Sequence, residues 1–189
     1  MRDPRGYLRP EEIKKIVEVC KTLKELAVIE TLRRTGIRVS ELLSIRRDSI
    51  SWDEKTLLIR WLKHEKKGNK NNVTPLMRQV YIDNKLIEIL QRFVEKYAIT
   101  NYLFPVTRQA IFKMVRSIGR RAHILTVGSK KIHPHHFRHS FVVNALKKGV
   151  KIETIQKLVG HKDISTTAHY LQFSSEELKE AVEKIWSDE

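Results

Sequence analysis

Residues 50–76 read ISWDEKTLLIRWLKHEKKGNKNNVTPL, and this stretch decides the fold class. Apolar and β-branched residues dominate 50–52, 56–62 and 72–76, which is typical of short β-strands. The intervening KHEKKGNKNN is polar and basic and contains Gly68, so it predicts the tip of a β-hairpin. The stretch therefore predicts a small antiparallel sheet.

On both sides of this sheet, apolar residues recur at the spacing of amphipathic helices. Pro10, followed by two acidic residues, predicts a helix start, a break is expected near Thr22, and Gly36 predicts a helix end. A short helix is expected within 38–47. We therefore predict a fold that is mainly α with a small antiparallel β-sheet (α+β). Further helical segments are expected at 86–97, 109–122, 137–149, 152–160 and 174–186.

The charge of the chain indicates the class of its partner. Lysine and arginine total 37 against 22 acidic residues, which gives a formal net charge of +15. Such an excess is typical of proteins that bind a polyanion, most simply a nucleic acid. A basic protein without such a partner is the alternative.

Other features of the composition exclude several classes of protein. Cys20 is the single cysteine, so an internal disulfide and a cysteine-based zinc site are excluded, and a reducing cytoplasm fits. No apolar run reaches the roughly 18 residues that a membrane span needs. We therefore expect a cytoplasmic protein that does not bind a membrane.

Residues 133–141, HPHHFRHSF, place four histidines and one arginine close together. If a helix begins at His135 or His136, then His135 and Arg138 lie on one face near its N-terminus. Free N–H groups there attract phosphate, and an arginine adds a bidentate donor. His135 and His139 have the spacing of two zinc ligands, but the sequence offers no third. Taken alone, the stretch leaves a phosphate site, a metal site and a polar helix surface open.

Three further stretches complete a pattern. TGIRVSEL contains Arg38 and Glu41, VGH ends at His161, and TTAHY ends at Tyr170. Together with HHFRH and the hairpin KGNKNNVTPL, they follow the order of motifs in the tyrosine recombinases, the family of phage integrases and Xer proteins. From about Leu8 to Tyr170, the chain resembles the catalytic domain of that family.

This resemblance implies an enzyme that cleaves and rejoins DNA strands in site-specific recombination or integration, through a 3′-phosphotyrosyl intermediate. No metal and no other cofactor is implied. The hairpin lysine implied as the acid for the leaving 5′-oxygen is best matched by Lys67, with Lys70 and Lys63 as alternatives. Glu41 is expected to hold a neighbouring histidine or arginine. The implied catalytic residues are Arg38, Lys67, His135, Arg138 and His161, with Tyr170 as nucleophile.

The resemblance also implies double-stranded DNA as a partner, with self-association as a dimer or tetramer during synapsis. We expect residues 1–189 to form a single catalytic domain, with the family's N-terminal core-binding domain absent. Residues 174–186 are expected to form a C-terminal helix that packs on its own core or on a neighbouring protomer. A nucleoid-associated enzyme of a prokaryotic or viral host cell is expected. A type IB-like topoisomerase and a non-cleaving DNA-binding protein are the alternatives.

Overall fold

The computed structural model of the chain describes residues 6–60 and 77–160. Within these two ranges the chain forms seven α-helices and five short strands, so the predicted fold class is confirmed. The predicted hairpin tip and the predicted helix 174–186 lie outside the described residues. The elements are α1 (Pro10–Glu18), α2 (Leu23–Thr35), α3 (Val39–Ser44), β1 (Ile50–Ser51), β2 (Thr56–Arg60), β3 (Met77–Tyr81), α4 (Asn84–Lys96), α5 (Arg108–Arg121), β4 (Thr126–Val127), β5 (Lys130–Lys131), α6 (Pro134–Lys147) and α7 (Ile152–Val159).

Two compact units follow one another along the chain, Met1–Phe141 and Val142–Glu189. The described part of the first contains α1 to α5, all five strands and the beginning of α6. The described part of the second contains the remainder of α6 and all of α7. The expectation of a single catalytic domain stays a prediction.

The N-terminal helices begin and end where local chemistry dictates. Pro10 is the first residue of α1, as predicted, because its missing N–H group costs nothing there. Thr22 precedes α2 and its hydroxyl accepts a hydrogen bond from the backbone N–H of Glu25 at 3.1 Å. Gly36 ends α2 in the left-handed conformation, with φ of 62°. These three boundaries place Arg38 at the entrance to α3.

Strands β1, β2 and β3 form one antiparallel sheet in that order. Leu57 opposes Val80 and both are buried, whereas Leu58 opposes Gln79 and both are exposed, so one face of the sheet packs on the core. The partner strand predicted at 72–76 lies outside the described residues. On the side of β2 away from β1, the described partner is β3, which begins five residues after the start of the predicted strand.

A second hairpin, formed by β4 and β5, is not predicted by the sequence because each strand has only two residues. The hairpin packs closely on α5. A Cβ atom added to Gly119 would lie 2.6 Å from Cγ2 of Ile132 and 2.7 Å from the backbone oxygen of Ile124. Only glycine allows this approach of helix and hairpin.

The hydrophobic core of the first unit lies between the sheet and the helices. Phe93 of α4 stacks on Phe104 with ring centroids 5.3 Å apart, and Phe137 of α6 is fully buried in the same cluster. Full burial of a side chain of this size stabilises the fold by about 1.5–3 kcal/mol. In the part of the chain that the structure describes, no helix is long and apolar enough to cross a membrane.

We expect Gly36→Ala to destabilise the protein more than Gly149→Ala. Both glycines have positive φ, 62° and 74°, so both substitutions carry the strain of a left-handed alanine, about 1–2 kcal/mol. A Cβ at Gly36 would also lie 2.8 Å from Cδ1 of Phe141, whereas a Cβ at Gly149 meets nothing within 4 Å. The measurement is the free energy of unfolding in urea. Equal losses in the two variants would contradict the packing argument.

Candidate active site

Arg38 lies two residues after the left-handed Gly36 and caps the start of α3 in an extended conformation. One carboxylate holds it twice. Oε2 of Glu41 accepts a hydrogen bond from the backbone N–H of Arg38 at 2.7 Å, and Oε1 lies 3.3 Å from Arg38 Nη1. The side chain of Glu41 is only 2% exposed, so its buried charge depends on partners such as these. Glu41 is thus in contact with Arg38, while its part in any reaction stays a prediction.

A second arginine reaches the same carboxylate from the sheet. Arg78 of β3 is buried, and its Nη2 lies 3.3 Å from Oε2 of Glu41. Arg78 is not predicted as a site residue from the sequence. The alternation of MRQVY could have identified it, because this pattern places Arg78 at an inward position of the strand, where an apolar residue such as Val80 is usual.

Arg138 connects α6 to the end of α2. Its Nη1 donates a hydrogen bond to the backbone oxygen of Gly36 at 2.7 Å, and the residue is buried. Gly36 is also the residue from which the chain turns towards Arg38. The backbone turn at Gly36 therefore holds Arg38 and Arg138 in the same region.

His135 lies in the first turn of α6, which begins at Pro134, one residue before the earliest predicted start. Loss of solvation lowers the pKa of His135, and nearby positive charges lower it further, those of Arg138 and Arg38 among them. The imidazole is therefore neutral near pH 7. It can accept a proton or donate one hydrogen bond without carrying a charge.

Arg38, Glu41 and His135 face a cavity of about 210 Å³ between α3, α5 and α6. Its lining combines guanidinium and imidazole donors with a carboxylate that is already paired, so it suits an anion better than a cation. Arg108 of this set is not predicted from the sequence, and its guanidinium carbon lies 5.6 Å from the ring centroid of Phe112. The lining residues are Arg38, Val39, Ser40, Glu41, Arg108, Phe112 and His135.

The other histidines of the stretch support the start of α6. Nδ1 of His136 accepts a hydrogen bond from the backbone N–H of His133, and Nδ1 of His133 accepts one from His135, each at 3.2 Å. Burial lowers the pKa of His136 to about 3, and neighbouring histidines act in the same direction. Within 6–60 and 77–160, no three His, Cys, Asp or Glu side chains are arranged as metal ligands.

The structure thus brings Arg38, Glu41, His135 and Arg138 into one region. The remaining predicted site residues lie outside the described residues, so their positions stay predictions. They are Lys67, with its alternatives Lys70 and Lys63, His161 and Tyr170.

Comparison with known proteins identifies related sequences. The family model described as the phage integrase family matches residues 6–177. Tyrosine recombinase XerD of Staphylococcus haemolyticus is 33% identical over 165 residues, which cover 83% of this chain and 52% of the relative. Tyrosine recombinase XerA of Pyrococcus horikoshii is 30% identical over 183 residues, which cover 94% of this chain and 60% of the relative. The chain therefore spans only about half to three fifths of the length of these relatives.

Solved structures with the same fold agree. The crystal structure of XerA recombinase has a TM-score of 0.76 and 26% identity, covering 95% of this chain and 63% of that one. XerH recombinase bound to its palindromic difH substrate has a TM-score of 0.75 at 23% identity, covering 97% and 54%. The catalytic domain of bacteriophage HP1 integrase has a TM-score of 0.66 at 19% identity, covering 94% and 93%. At these identities, the last two show the fold alone.

We expect the free energy of unfolding to fall as the pH drops from about 6.5 towards 4. The ordinary pKa of histidine, 6.5, applies to the unfolded chain, whereas that of His136 in the folded protein is about 3. Between these values the unfolded state binds the extra proton, so acid favours unfolding, by at most about 1.4 kcal/mol per pH unit for one group. Urea unfolding between pH 7.5 and 4.5 measures this slope.

His136→Asn provides the comparison, because the amide oxygen can accept the hydrogen bond of His133 and does not titrate. This variant should lose less stability per pH unit than the wild type. His123→Asn, at an exposed histidine after α5, is the control and should keep the wild-type slope. An unchanged slope in His136→Asn would remove His136 as the cause.

Proposed function

Because the chain belongs to the phage integrase family, we propose that it cleaves and rejoins DNA strands in site-specific recombination. The observation that carries this proposal is that Arg38, His135 and Arg138, from distant parts of the sequence, lie in one region beside a cavity that Arg38 and His135 line. The relatives named above are tyrosine recombinases, and one solved neighbour is bound to its DNA substrate.

The two arginines would stabilise the scissile phosphate. Their guanidinium groups would donate to the non-bridging oxygens, on which negative charge accumulates in the transition state. Both are held before substrate arrives, Arg38 by Glu41 and Arg138 by Gly36, so little reorganisation is needed when the charge develops. Loss of one such donor typically costs ~10²–10³ in rate.

Tyr170 would supply the nucleophile. Its phenolic oxygen attacks phosphorus, the bond from phosphorus to the 5′-oxygen breaks, and a 3′-phosphotyrosyl link forms. A phenol with a pKa of about 10 needs a base, and the neutral imidazole of His135 can accept its proton. Lys67 would protonate the departing 5′-oxygen, and His161 would add a phosphate donor. Rejoining is the reverse reaction, in which the 5′-hydroxyl attacks the phosphotyrosyl link. It needs no external energy because that covalent link retains the energy of the broken phosphodiester bond.

Duplex DNA is the proposed partner because exposed basic residues continue from the cavity along α5. Arg108 lines the cavity, and Arg116 and Arg120, four residues apart and on one face of the helix, follow it along α5. Lys130 and Lys131 are exposed on β5. Such a row of cations suits the phosphates that flank a cleavage site.

Self-association belongs to the same proposal. Exchange of strands between two duplexes requires a separate nucleophile for each strand that is cut, so several copies of the chain must act together. We expect a dimer or tetramer on DNA. We also expect the enzyme to be associated with the nucleoid.

We expect the protein to form a covalent adduct with a nicked suicide duplex, and Tyr170→Phe to abolish it. Removal of the phenolic oxygen removes the nucleophile while leaving the binding surface unchanged. Tyr97→Phe, at an exposed tyrosine after α4, is the matched control and should react like the wild type. Denaturing electrophoresis with labelled DNA measures the adduct. An adduct that persists in Tyr170→Phe would overturn the assignment, and its absence in the wild type would overturn the proposed cleavage.

Binding of duplex DNA should weaken steeply with salt. Each neutralised phosphate contributes ~0.9 to the slope of log affinity against log salt. Arg116→Gln should reduce that slope by about one such contact. Arg92→Gln is the control, because Arg92 is an exposed arginine of α4 and lies outside the row of cations on α5 and β5. Fluorescence anisotropy over a salt series measures the slopes, and a flat response in the wild type would contradict the DNA partner.

A further inference from the structure

We propose that Arg78 is a positioning residue for Arg38, acting through the carboxylate of Glu41. This inference rests on the proposed function, because it assigns a role in presenting Arg38 to a scissile phosphate. Arg78 is not among the described residues that line the cavity, whereas Arg38 and Glu41 are. The contact with Glu41 links Arg78 to this lining.

The contacts define the arrangement. Oε2 of Glu41 receives the backbone N–H of Arg38 at 2.7 Å and lies 3.3 Å from Nη2 of Arg78. Oε1 of Glu41 lies 3.3 Å from Nη1 of Arg38. A single carboxylate thus divides its charge between two guanidinium groups that come from different elements, α3 and β3.

Burial strengthens the interactions of Glu41 with the two arginines. The side chains of Glu41 and Arg78 are 2% and 8% exposed, so water screens their interaction weakly. Arg38 is 18% exposed and faces the cavity. If Arg78 were removed, the attraction of the buried carboxylate would fall more strongly on Arg38, and the guanidinium would be drawn from the phosphate towards Glu41. By holding part of that charge, Arg78 keeps the donors of Arg38 available.

The position of Arg78 in the sheet gives the contact a second consequence. Arg78 opposes Ile59 of β2, and it is the second residue of the strand that follows residues 61–76. That segment contains all three lysines proposed as the acid for the leaving group. The ion pair therefore connects the strand that leaves this segment with the carboxylate that holds Arg38.

The test is a double-mutant cycle in single-turnover cleavage of a nicked suicide duplex by the full chain at saturating protein. We expect Arg78→Met to slow adduct formation roughly tenfold, which lies within the coupling seen between residues of one network. Its affinity for intact duplex should stay within about twofold of the wild type, since Arg78 does not touch the ligand. In an Arg38→Ala background, Arg78→Met should cause no further slowing, because the residue through which it acts is gone.

Two variants separate this role from a merely structural one. Arg78→Lys keeps a cation beside Glu41 and should recover most of the cleavage rate. Arg92→Met makes the same substitution as Arg78→Met at an exposed arginine of α4 and should cleave like the wild type. If thermal unfolding shows that Arg78→Met does not fold, Arg78→Gln replaces it in the cycle.

The outcomes are distinguishable. A wild type that forms no adduct contradicts the proposed function itself. A wild type that cleaves, with Arg78→Met equally fast, overturns the role of Arg78. The role is also overturned if the reductions in cleavage rate caused by Arg78→Met and Arg38→Ala multiply in the double variant. It is overturned as well if Arg78→Met weakens DNA binding and leaves the cleavage rate at saturating protein unchanged.

Discussion

The hydrogen bond from Nη1 of Arg138 to the backbone oxygen of Gly36 is the constraint on which the site depends. Gly36 must adopt a left-handed conformation to end α2 and turn the chain towards Arg38, and in doing so it presents its carbonyl group to α6. Phe141 packs over the space that a side chain at Gly36 would need. A buried guanidinium is unfavourable without partners, so this hydrogen bond gives Arg138 a buried acceptor and ties the start of α6 to the end of α2.

The electrostatics of the site complement this scaffold. The chain carries a net charge of +15, yet the charge at the cavity is controlled by one buried carboxylate, that of Glu41. Glu41 holds Arg38, Arg108 lines the same cavity, and the charges of Arg138 and Arg38 help to keep His135 neutral by lowering its pKa. Fixed positive groups can bind an anionic substrate. A neutral imidazole beside them can accept the proton of an attacking hydroxyl group. The same arrangement would be poor at holding a cation.

The sequence predicts the features that depend on local chemistry. Pro10, Thr22 and Gly36 are found at the predicted helix boundaries because caps and left-handed turns involve only neighbouring residues. The fold class and the family resemblance are confirmed. The grouping of Arg38 with His135 and Arg138 follows from the order of motifs, although their catalytic roles stay predictions.

Features that depend on tertiary contacts are missed. Arg78 is an ordinary cation in the sequence and acquires its meaning only when β3 places it beside Glu41, which is 37 positions away. Arg108 is likewise one basic residue among many until α5 packs beside α3. The hairpin of β4 and β5 is too short to leave a periodic pattern, and the close approach at Gly119 shows only in three dimensions.

The contact between Gly36 and Arg138 spans 102 positions, and this separation bears on how the protein is made. Apart from Phe137, the described members of the hydrophobic cluster come from residues 8–132, so these residues can collapse together before α6 has left the ribosome. At that stage the carbonyl of Gly36 has no guanidinium partner and His135 is absent. The described interior of the first unit can therefore form before Arg138 and His135 take their places beside Arg38.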